Sequence, residues 1–383
     1  MRIAFLNWRD STHPEGGGAE HYAETVCAGL AERGHTVSFF CAAHGTARSE
    51  EHVRGVRMRR QGGRLSVYAA SVAALRADER ATGAYDVVVD VQNGIPFFSM
   101  LGTDTPVVSL VHHVHREQWP VVFGPVAARV GWGIESRLAP LAYRGRQYVA
   151  VSERTRMELV ELGVRAHDVA VIHNGTDAPM ALGAARSLHP TMVVLGRLVP
   201  HKRVEHAIDV LARLRPTTPG LRLRVIGQGW WHDPIAEYAE RSGVADDVDL
   251  LGFVDEETKH AELASAWIAL APSVKEGWGL CVVEAATHGV PTIAYTGAGG
   301  LSESIVHRRT GLLVDSLDDM THEVARLLAD ERTRTEMGAH AADYARQFTW
   351  TGTVDSWERL LLHVAQGKAP VAMTDAQSLG VLR

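Results

Sequence analysis

The chain has 383 residues, 46% hydrophobic and 22% charged, with 39 basic against 45 acidic residues and a formal net charge of −6. That length exceeds one ordinary hydrophobic core and suits two domains, the composition is that of a globular protein, and the negative balance argues against a nucleic-acid partner. Cys27, Cys41 and Cys281 are odd in number, far apart and set in apolar segments, which predicts reduced core thiols, no disulfide framework and a cytoplasmic location. The apolar start, residues 1–8, is too short for a leader's apolar region and reads as a strand; no run is long enough to cross a bilayer.

Residues 3–8 open a first domain as a strand, followed by a helix over 17–33 with Ala19, Ala23, Val26, Cys27 and Leu30 on one face and Gly34 at its end. A strand over 35–41 leads into a polar, Arg-rich connection, then a helix over 66–82 and strands over 86–91 and 106–111. Residues 124–143 carry Val126, Val130, Ile134, Leu138 and Leu141 at helical spacing between Arg129, Arg137 and Arg144, which predicts a helix packed on the sheet, with a membrane-surface helix as the alternative. A strand over 147–152, a helix from Glu153 and a strand over 169–173 complete the domain, 1–175. Residues 176–190 gather turn formers and read as a linker.

The alternation then restarts, with strands over 192–196, 221–227, 248–251, 268–271 and 291–294, so 191–348 reads as a second doubly wound domain. Residues 321–348 and 353–364 are helical, the latter inside a C-terminal segment 349–366, and 367–383 reads as a disordered tail. Open α/β sheets bind ligands at the C-terminal ends of their strands, which sends the search for chemistry to the strand-to-helix loops.

The richest such loop follows the strand 268–271: Ser273-Val-Lys-Glu-Gly-Trp-Gly-Leu-Cys-Val-Val-Glu284. Gly277 and Gly279 let a ligand approach the backbone, the following helix offers amides and its positive end to an anion, and Glu276 and Glu284 can accept from hydroxyls. A ligand with a phosphate part and a hydroxyl part fits that mixture. Arg197 and Lys202, in the loop after the strand 192–196, are a guanidinium and an ammonium suited to a diphosphate, or else solvated surface charge. The loop after the first strand carries Gly16, Gly17 and Gly18, able to approach a phosphate or sugar, or else a plain turn; it has neither a Gly-x-Gly-x-x-Gly pattern nor a P-loop ending. His112, His113 and His115 follow the strand 106–111 without a recognisable set of further zinc ligands, so a sugar-binding imidazole is preferred, at His112 or, one residue on, His113. Asp247-Val-Asp249 opens a strand and is read as structural rather than metal-binding, and Gly297-Ala-Gly-Gly300 is a further turn, phosphate-approaching or structural.

Taken together, these motifs resemble the retaining glycosyltransferases of family 4. The likeness covers Glu276 and Glu284 in their Pro-Ser-x-x-Glu-Gly-Trp-Gly-Leu-x-x-x-Glu-Ala wording, Gly-Gly-Ala-Glu20, the Gly-Arg-Leu-x-x-x-Lys202 loop, Gly-Phe-Val254, and Gly-Gly-Leu-Ser-Glu-Ser-Ile-Val306 followed by Thr-Gly-Leu-Leu-Val314. It implies a GT-B fold: two Rossmann-like doubly wound domains facing across a cleft, the second binding a nucleotide diphosphate sugar and the first an acceptor, with the last helix returning to the first domain. By position it implies Arg197 and Lys202 on the diphosphate, Glu276 on the donor sugar and Glu284 on the nucleotide ribose. Gly277, Gly279, Leu280 and Phe253 would stand around the donor, Gly17 and Gly18 near phosphates and acceptor, and His112 at the transferred sugar. This chain's doublet His112-His113 departs from the single histidine usual in the family, so both stay candidates. No cofactor or metal is expected. The implied reaction is transfer of a hexose, from a UDP- or GDP-linked donor, to a hydroxyl of a glycan, a lipid-linked sugar or a small molecule, with retention. A sugar-nucleotide epimerase and a non-catalytic nucleotide-sugar-binding protein are the alternatives. Peripheral membrane contact is left open and not favoured.

Overall fold

The computed structural model describes residues 1–45, 47–180 and 185–374. Two compact units share them: Met1–Gly175 with the chain from Trp350 onward, and Thr176–Thr349.

The first unit is built on an eight-stranded sheet of β1 (Arg2–Leu6), β2 (Thr36–Cys41), β3 (Glu50–Val53), β4 (Val56–Arg60), β5 (Val87–Gln92), β6 (Val107–Val111), β7 (Gln147–Ala150) and β8 (Val169–Val171), in the order β3-β4-β2-β1-β5-β6-β7-β8. Every pair is parallel except β3 with β4. The central strands are unbroken apolar runs, as burial on both faces requires: every residue of β5 and β6 is buried. The β3–β4 hairpin falls where the sequence reads as an irregular polar connection. Its two-residue turn, Arg54-Gly55, takes positive φ at both positions (48° and 78°), the twist that suits a tight hairpin. Its charges hide it from an apolar pattern: Arg57 meets Glu50 at 2.7 Å, and Arg57 and Arg59 both reach Asp78, at 2.9 and 2.7 Å. Such charged strands belong at a sheet edge.

The helix Trp350–Ala365 belongs to this unit and lies on the helix Gly18–Glu32. Trp357 is fully buried and donates from Nε1 to the Tyr22 hydroxyl at 2.6 Å, and Glu358 takes Arg33 at 2.8 Å and His35 at 2.7 Å. The expected disordered tail is corrected in part. The Met373 carbonyl accepts from the Val171 amide at 2.7 Å and the Val371 amide donates to Gln147 at 2.8 Å, so 371–374 run along β8 and satisfy the sheet edge; 375–383 lie outside the described residues.

The second unit has six parallel strands, β9 (Thr191–Leu195), β10 (Arg222–Ile226), β11 (Val248–Gly252), β12 (Ile268–Ala271), β13 (Thr292–Tyr295) and β14 (Gly311–Val314), in the order β11-β10-β9-β12-β13-β14. Five strands are predicted here; the sixth, β14, is only four residues long and begins with glycine, which gives periodicity little to read. The helical stretch read over 321–348 is made of two helices, Leu317–Ala329 and Glu331–Ala345, because Asp330 ends the first and caps the second by accepting from the Thr333 amide at 3.0 Å. The linker expected over 176–190 is not slack where it is described. Arg186 donates to the carbonyls of Ala264, Ala266, His288 and Gly289 at 2.6–2.9 Å; residues 181–184 lie outside the described residues.

Candidate functional site

In the second unit β9 and β12 are neighbours, and the chain order runs outward from them in both directions, so the loops that leave their C-terminal ends diverge and open a crevice. The loop after β9 passes Arg197, makes a 3-10 turn over Pro200–Lys202 and enters the helix Val204–Leu214. The loop after β12 is tied to it by the Val274 amide, which donates to the His201 carbonyl at 2.8 Å. Lys202 Nζ donates to Glu276 Oε1, and Ser273 Oγ donates to the same oxygen at 2.6 Å. Arg197, Lys202, Ser273 and Cys281 line one small cleft. Burial by itself would raise the Glu276 carboxyl, but the Lys202 ammonium and the Ser273 hydroxyl outweigh it and hold the group below its ordinary value. Glu276 is therefore a carboxylate. The nearby Cys281 thiol is pushed up to about 12, by burial first and Glu276 second, so no thiolate nucleophile stands here.

The Glu276 turn is clamped from behind by the turn at 297–300. The Glu276 amide donates to the Ala298 carbonyl at 3.2 Å, and the Gly300 amide to the Glu276 carbonyl at 2.9 Å. A Cβ on Gly300 would stand 2.1 Å from the Gly277 carbonyl oxygen, so the two backbones touch where only glycine fits. The 297–300 turn therefore supports the Glu276 turn, as its structural reading expects. Gly279 caps the helix Leu280–Thr287 with φ 91°, a left-handed geometry, and a Cβ there would also meet Leu301 at 2.3 Å. Leu280 is the first helical residue, among those whose amides precede the intrahelical ladder.

Glu284, one turn further in, accepts from Lys259 Nζ at 2.7 Å, and Lys259 also meets Glu256 at 2.7 Å. Burial opposes the Lys259 charge, yet the two carboxylates raise its pKa, so it stays an ammonium. Beside it His260 Nδ1 and His288 Nε2 share a hydrogen bond of 2.7 Å, and His288 is brought down to about 4, chiefly by burial and then by His260. Lys259 was not legible as a site residue: it lies in a helix far back in the chain, with no motif around it. Phe253 stands apart at the end of β11, the outer strand of the sheet, and is 77% exposed. Asp247 and Asp249 are engaged by Arg215 and Arg222, each at 2.8 Å, as structural ion pairs. Among the described residues no group of three His, Cys, Asp or Glu side chains could hold a metal ion.

In the first unit, the loop after β1 is organised by buried charge. Arg9 Nε meets Glu20 Oε1 at 2.9 Å, while Glu20 Oε2 accepts from the Gly17 amide at 2.8 Å, reaching back over the start of the helix that Gly18 begins. Asp10 accepts from the Thr12 amide and hydroxyl at 3.0 and 2.7 Å, meets His44 at 3.1 Å and is engaged by Arg60, which the overlooked β3–β4 hairpin delivers. The glycine loop is thus held from several sides rather than being a plain flexible turn.

The three histidines after β6 part company. His112 is 5% exposed, lies edge-on to the Tyr22 ring with centroids 5.3 Å apart, and its carbonyl accepts from Thr155 Oγ1 at 3.3 Å. Burial lowers its imidazole to about 4, so it is neutral, and among the described residues its Nε2 has no hydrogen-bond partner. His113 is half-buried, with its ring centroid 4.1 Å from that of His115. His115 is held by Glu135, which accepts from its amide at 3.0 Å, pairs with Nδ1 at 2.9 Å and also takes Trp119 Nε1 at 2.6 Å. Glu135 and Arg60 were missed by sequence reasoning, since each acts on residues remote in the chain; Ser273 lies three residues from Glu276 in the stretch already singled out, but nothing in the spacing gave it a role.

A family model described as Glycosyltransferase Family 4 matches residues 16–178, and one described as Glycosyl transferases group 1 matches residues 184–344. A glycogen synthase of Mycobacterium tuberculosis is 30% identical over 268 residues, 69% of this chain and 63% of that protein. A GDP-mannose-dependent alpha-(1-6)-phosphatidylinositol monomannoside mannosyltransferase of the same species is 35% identical over 171 residues, 42% of this chain and 44% of that one. An exopolysaccharide phosphotransferase of Streptomyces coelicolor is 35% identical over 217 residues, 55% of this chain and 23% of its own. The chain thus spans less than two thirds of each of these relatives. Among solved structures, a sucrose-phosphate synthase from Thermosynechococcus elongatus aligns with a TM-score of 0.83 at 19% identity, over 96% of this chain and 100% of its own. Anabaena HepE in complex with UDP-glucose aligns at 0.74 and 20% identity, over 94% and 99%. Both likenesses are of fold: two Rossmann-like parallel-sheet domains.

Proposed function

The chain belongs to the family 4 type of GT-B glycosyltransferases, and on that premise we propose that it moves a hexose from a nucleotide diphosphate sugar to an acceptor hydroxyl, keeping the anomeric configuration. The observation that carries the reading is the Lys202–Glu276–Ser273 contact at the sheet's switch point: both donors fall on Oε1, which leaves Oε2 to accept from a sugar hydroxyl. Lys202 uses one of its three N–H groups on Glu276, and the others, with Arg197 in the same cleft, suit the two phosphates of a nucleoside diphosphate. As the glycosidic bond opens, negative charge gathers on the departing phosphate, and this cation pair with the amides at the start of the helix Leu280–Thr287 stabilises it.

Glu284, with Lys259 fixing its orientation, is assigned to the ribose hydroxyls. In the first unit, neutral His112 is assigned to a hydroxyl of the transferred sugar, with Gly17, Gly18 and His113 as further contacts for sugar or acceptor. Attack by Glu276 as a nucleophile is disfavoured, because a carboxylate held by an ammonium and a hydroxyl is committed to those groups; the departing phosphate oxygen is the base proposed for the acceptor's proton. With Lys202 and Arg197 lining the cleft to meet the leaving group's charge, no metal is given a part in the reaction. A cytoplasmic location fits the three reduced thiols. Among the described residues no helix is long and apolar enough to cross a membrane. A UDP- or GDP-linked donor is favoured by a structural neighbour solved with UDP-glucose and a relative named as GDP-mannose-dependent. The acceptor class takes in glycans, lipid-linked sugars and small molecules.

The test is Glu276→Ala, assayed for turnover and, by calorimetry, for UDP and GDP binding with and without a chelator. Turnover is expected to fall by roughly a hundredfold or more, while nucleoside diphosphate binding holds or tightens because Lys202 is released. Equal loss of both would remove Glu276 from the sugar, and loss of activity with the chelator would remove the metal-free mechanism.

A further inference from the structure

Residues 125–142 form one helical rod: α-helix over Pro125–Gly133, a π-helical turn over Ile134–Leu138 and α-helix again over Ala139–Ala142. The sequence reading puts its apolar stripe against the sheet; the structure reverses that. The inward side is made of Ala128, Gly131, Glu135 and Ala139, and Gly131 lies so close to the Trp119 ring that a Cβ would stand 2.3 Å from it. Small residues bring the rod in tightly, and the larger apolar side chains are left outside: Val126 is 76% exposed, Val130 58%, Leu138 47% and Leu141 67%. In an uninterrupted helix Leu138 would sit about 120° round from Val126, at about 100° per residue. The π turn takes up one extra residue and brings Leu138 back into the row, while Leu141 stays on the same side.

Charge follows the same face. From Trp119 to Ser152 the one acidic residue is Glu135, which is buried and occupied by His115 and Trp119. Arg129, Arg137 and Arg144 are exposed along the rod, without an ion pair among the described residues. The row continues through exposed Phe123, whose ring lies 5.8 Å from the Arg64 guanidinium, to Leu65, 78% exposed. A single exposed leucine needs no account, but an apolar row roughly 23 Å long from Val126 to Leu141, at about 1.5 Å per residue, does.

We propose that this face docks on an anionic phospholipid bilayer. The rod lies in the interfacial plane, with Val126, Val130, Leu138 and Leu141 at the acyl boundary and the arginines among the lipid phosphates. A second copy of the chain suits the face less well, because a two-fold contact would set one arginine row against the other.

Flotation of the full chain with phosphatidylcholine vesicles, with and without one quarter phosphatidylglycerol, tests the proposal. Binding should appear on the anionic vesicles, fall at least tenfold on neutral ones, and fall as salt is raised. Reversing charge with Arg129→Glu and Arg137→Glu should weaken binding well beyond tenfold, since each arginine at an anionic surface contributes roughly fivefold. Val126→Asp with Leu141→Asp should abolish it, with melting by circular dichroism unchanged. If those variants do not fold, quenching by brominated lipid of a tryptophan placed on the row by Val130→Trp, read as the difference from the parent with its nine tryptophans, reports the same contact. Absent quenching, equal binding to both lipids, or parent-like binding by folded variants overturns the proposal. So does a vesicle-independent dimer that Val126→Asp dissolves, which would give the face to a second copy.

Discussion

The strand ends of the second unit hold paired ions, Lys202 with Glu276 and Lys259 with Glu284, whereas the corresponding group after β6 in the first unit is a buried imidazole that carries no charge and whose Nε2 has no partner among the described residues. A buried charge without a counterion is costly, so ionised groups held ready for a charged ligand have to be kept in opposite pairs. A neutral imidazole meets only the smaller cost of a missing hydrogen bond, and it is repaid by a hydroxyl. On the function proposed above, charge recognition falls to these pairs in the second unit and hydroxyl recognition to His112 in the first.

The sharpest way to break this division is His112→Ala. Turnover is expected to fall by roughly a hundred to a thousandfold, the scale of one lost transition-state donor, with nucleoside diphosphate affinity within a factor of two of the parent. A parallel fall in that affinity would show that His112 serves the ionic end. Gly300→Ala probes whether the paired ions depend on a rigid turn. With its new Cβ against the Gly277 carbonyl, the variant should lose about 2–3 kcal/mol of stability and bind the nucleoside diphosphate more weakly; an unmoved urea midpoint would sink the clamp.

Lys259→Met releases Glu284 and should weaken nucleoside diphosphate binding by roughly tenfold, about 1.4 kcal/mol, while pyrophosphate binds as before. Calorimetry with both ligands separates the outcomes, and equal penalties would place Glu284 at the phosphates. A last way to test the division is through pH. His112 and His288 stay neutral in the fold down to about 4, whereas in the unfolded chain they take protons near 6.5. Between those values the unfolded state binds more protons, so stability falls as pH drops from about 6.5 towards 4. Glu276 works lower: its depressed carboxyl contributes above the ordinary carboxylate range and loses that contribution as pH falls through its folded pKa. Urea midpoints from pH 7 to 4.5 should decline, and His288→Gln should flatten the decline; a level series would contradict the burial of both imidazoles.

Much of the fold was legible because a parallel sheet buries both faces of its strands, and runs such as Val87–Gln92 and Val107–Val111 then announce themselves. The strands that escaped are those whose stability is not written in apolar residues: β3 and β4 rely on Glu50, Arg57, Arg59 and Asp78, and β14 is short. At the site, the turn around Glu276 could be read from its glycines and its place between strand and helix. Its partners could not, since Lys202 lies 74 residues away from Glu276 along the chain and Lys259 25 residues from Glu284.

The helix at 125–142 marks the limit of pattern reading. Periodicity finds the apolar stripe but not the side the stripe faces, because a stripe looks the same whether a sheet, a membrane or water lies beyond it. By itself the sequence determined the alternation of strands and helices, the two glycine-bearing loops and the residue types available for a phosphorylated sugar, all of which rest on local periodicity and turn chemistry. Only the tertiary structure decided that Lys202 and Lys259 arrive at the two glutamates, that His112 is buried and neutral while His115 is taken by Glu135, and that Val126 and Leu141 point outward. Those outcomes depend on which distant segments exclude water from a side chain, and burial is a property of the packed chain rather than of any stretch of it.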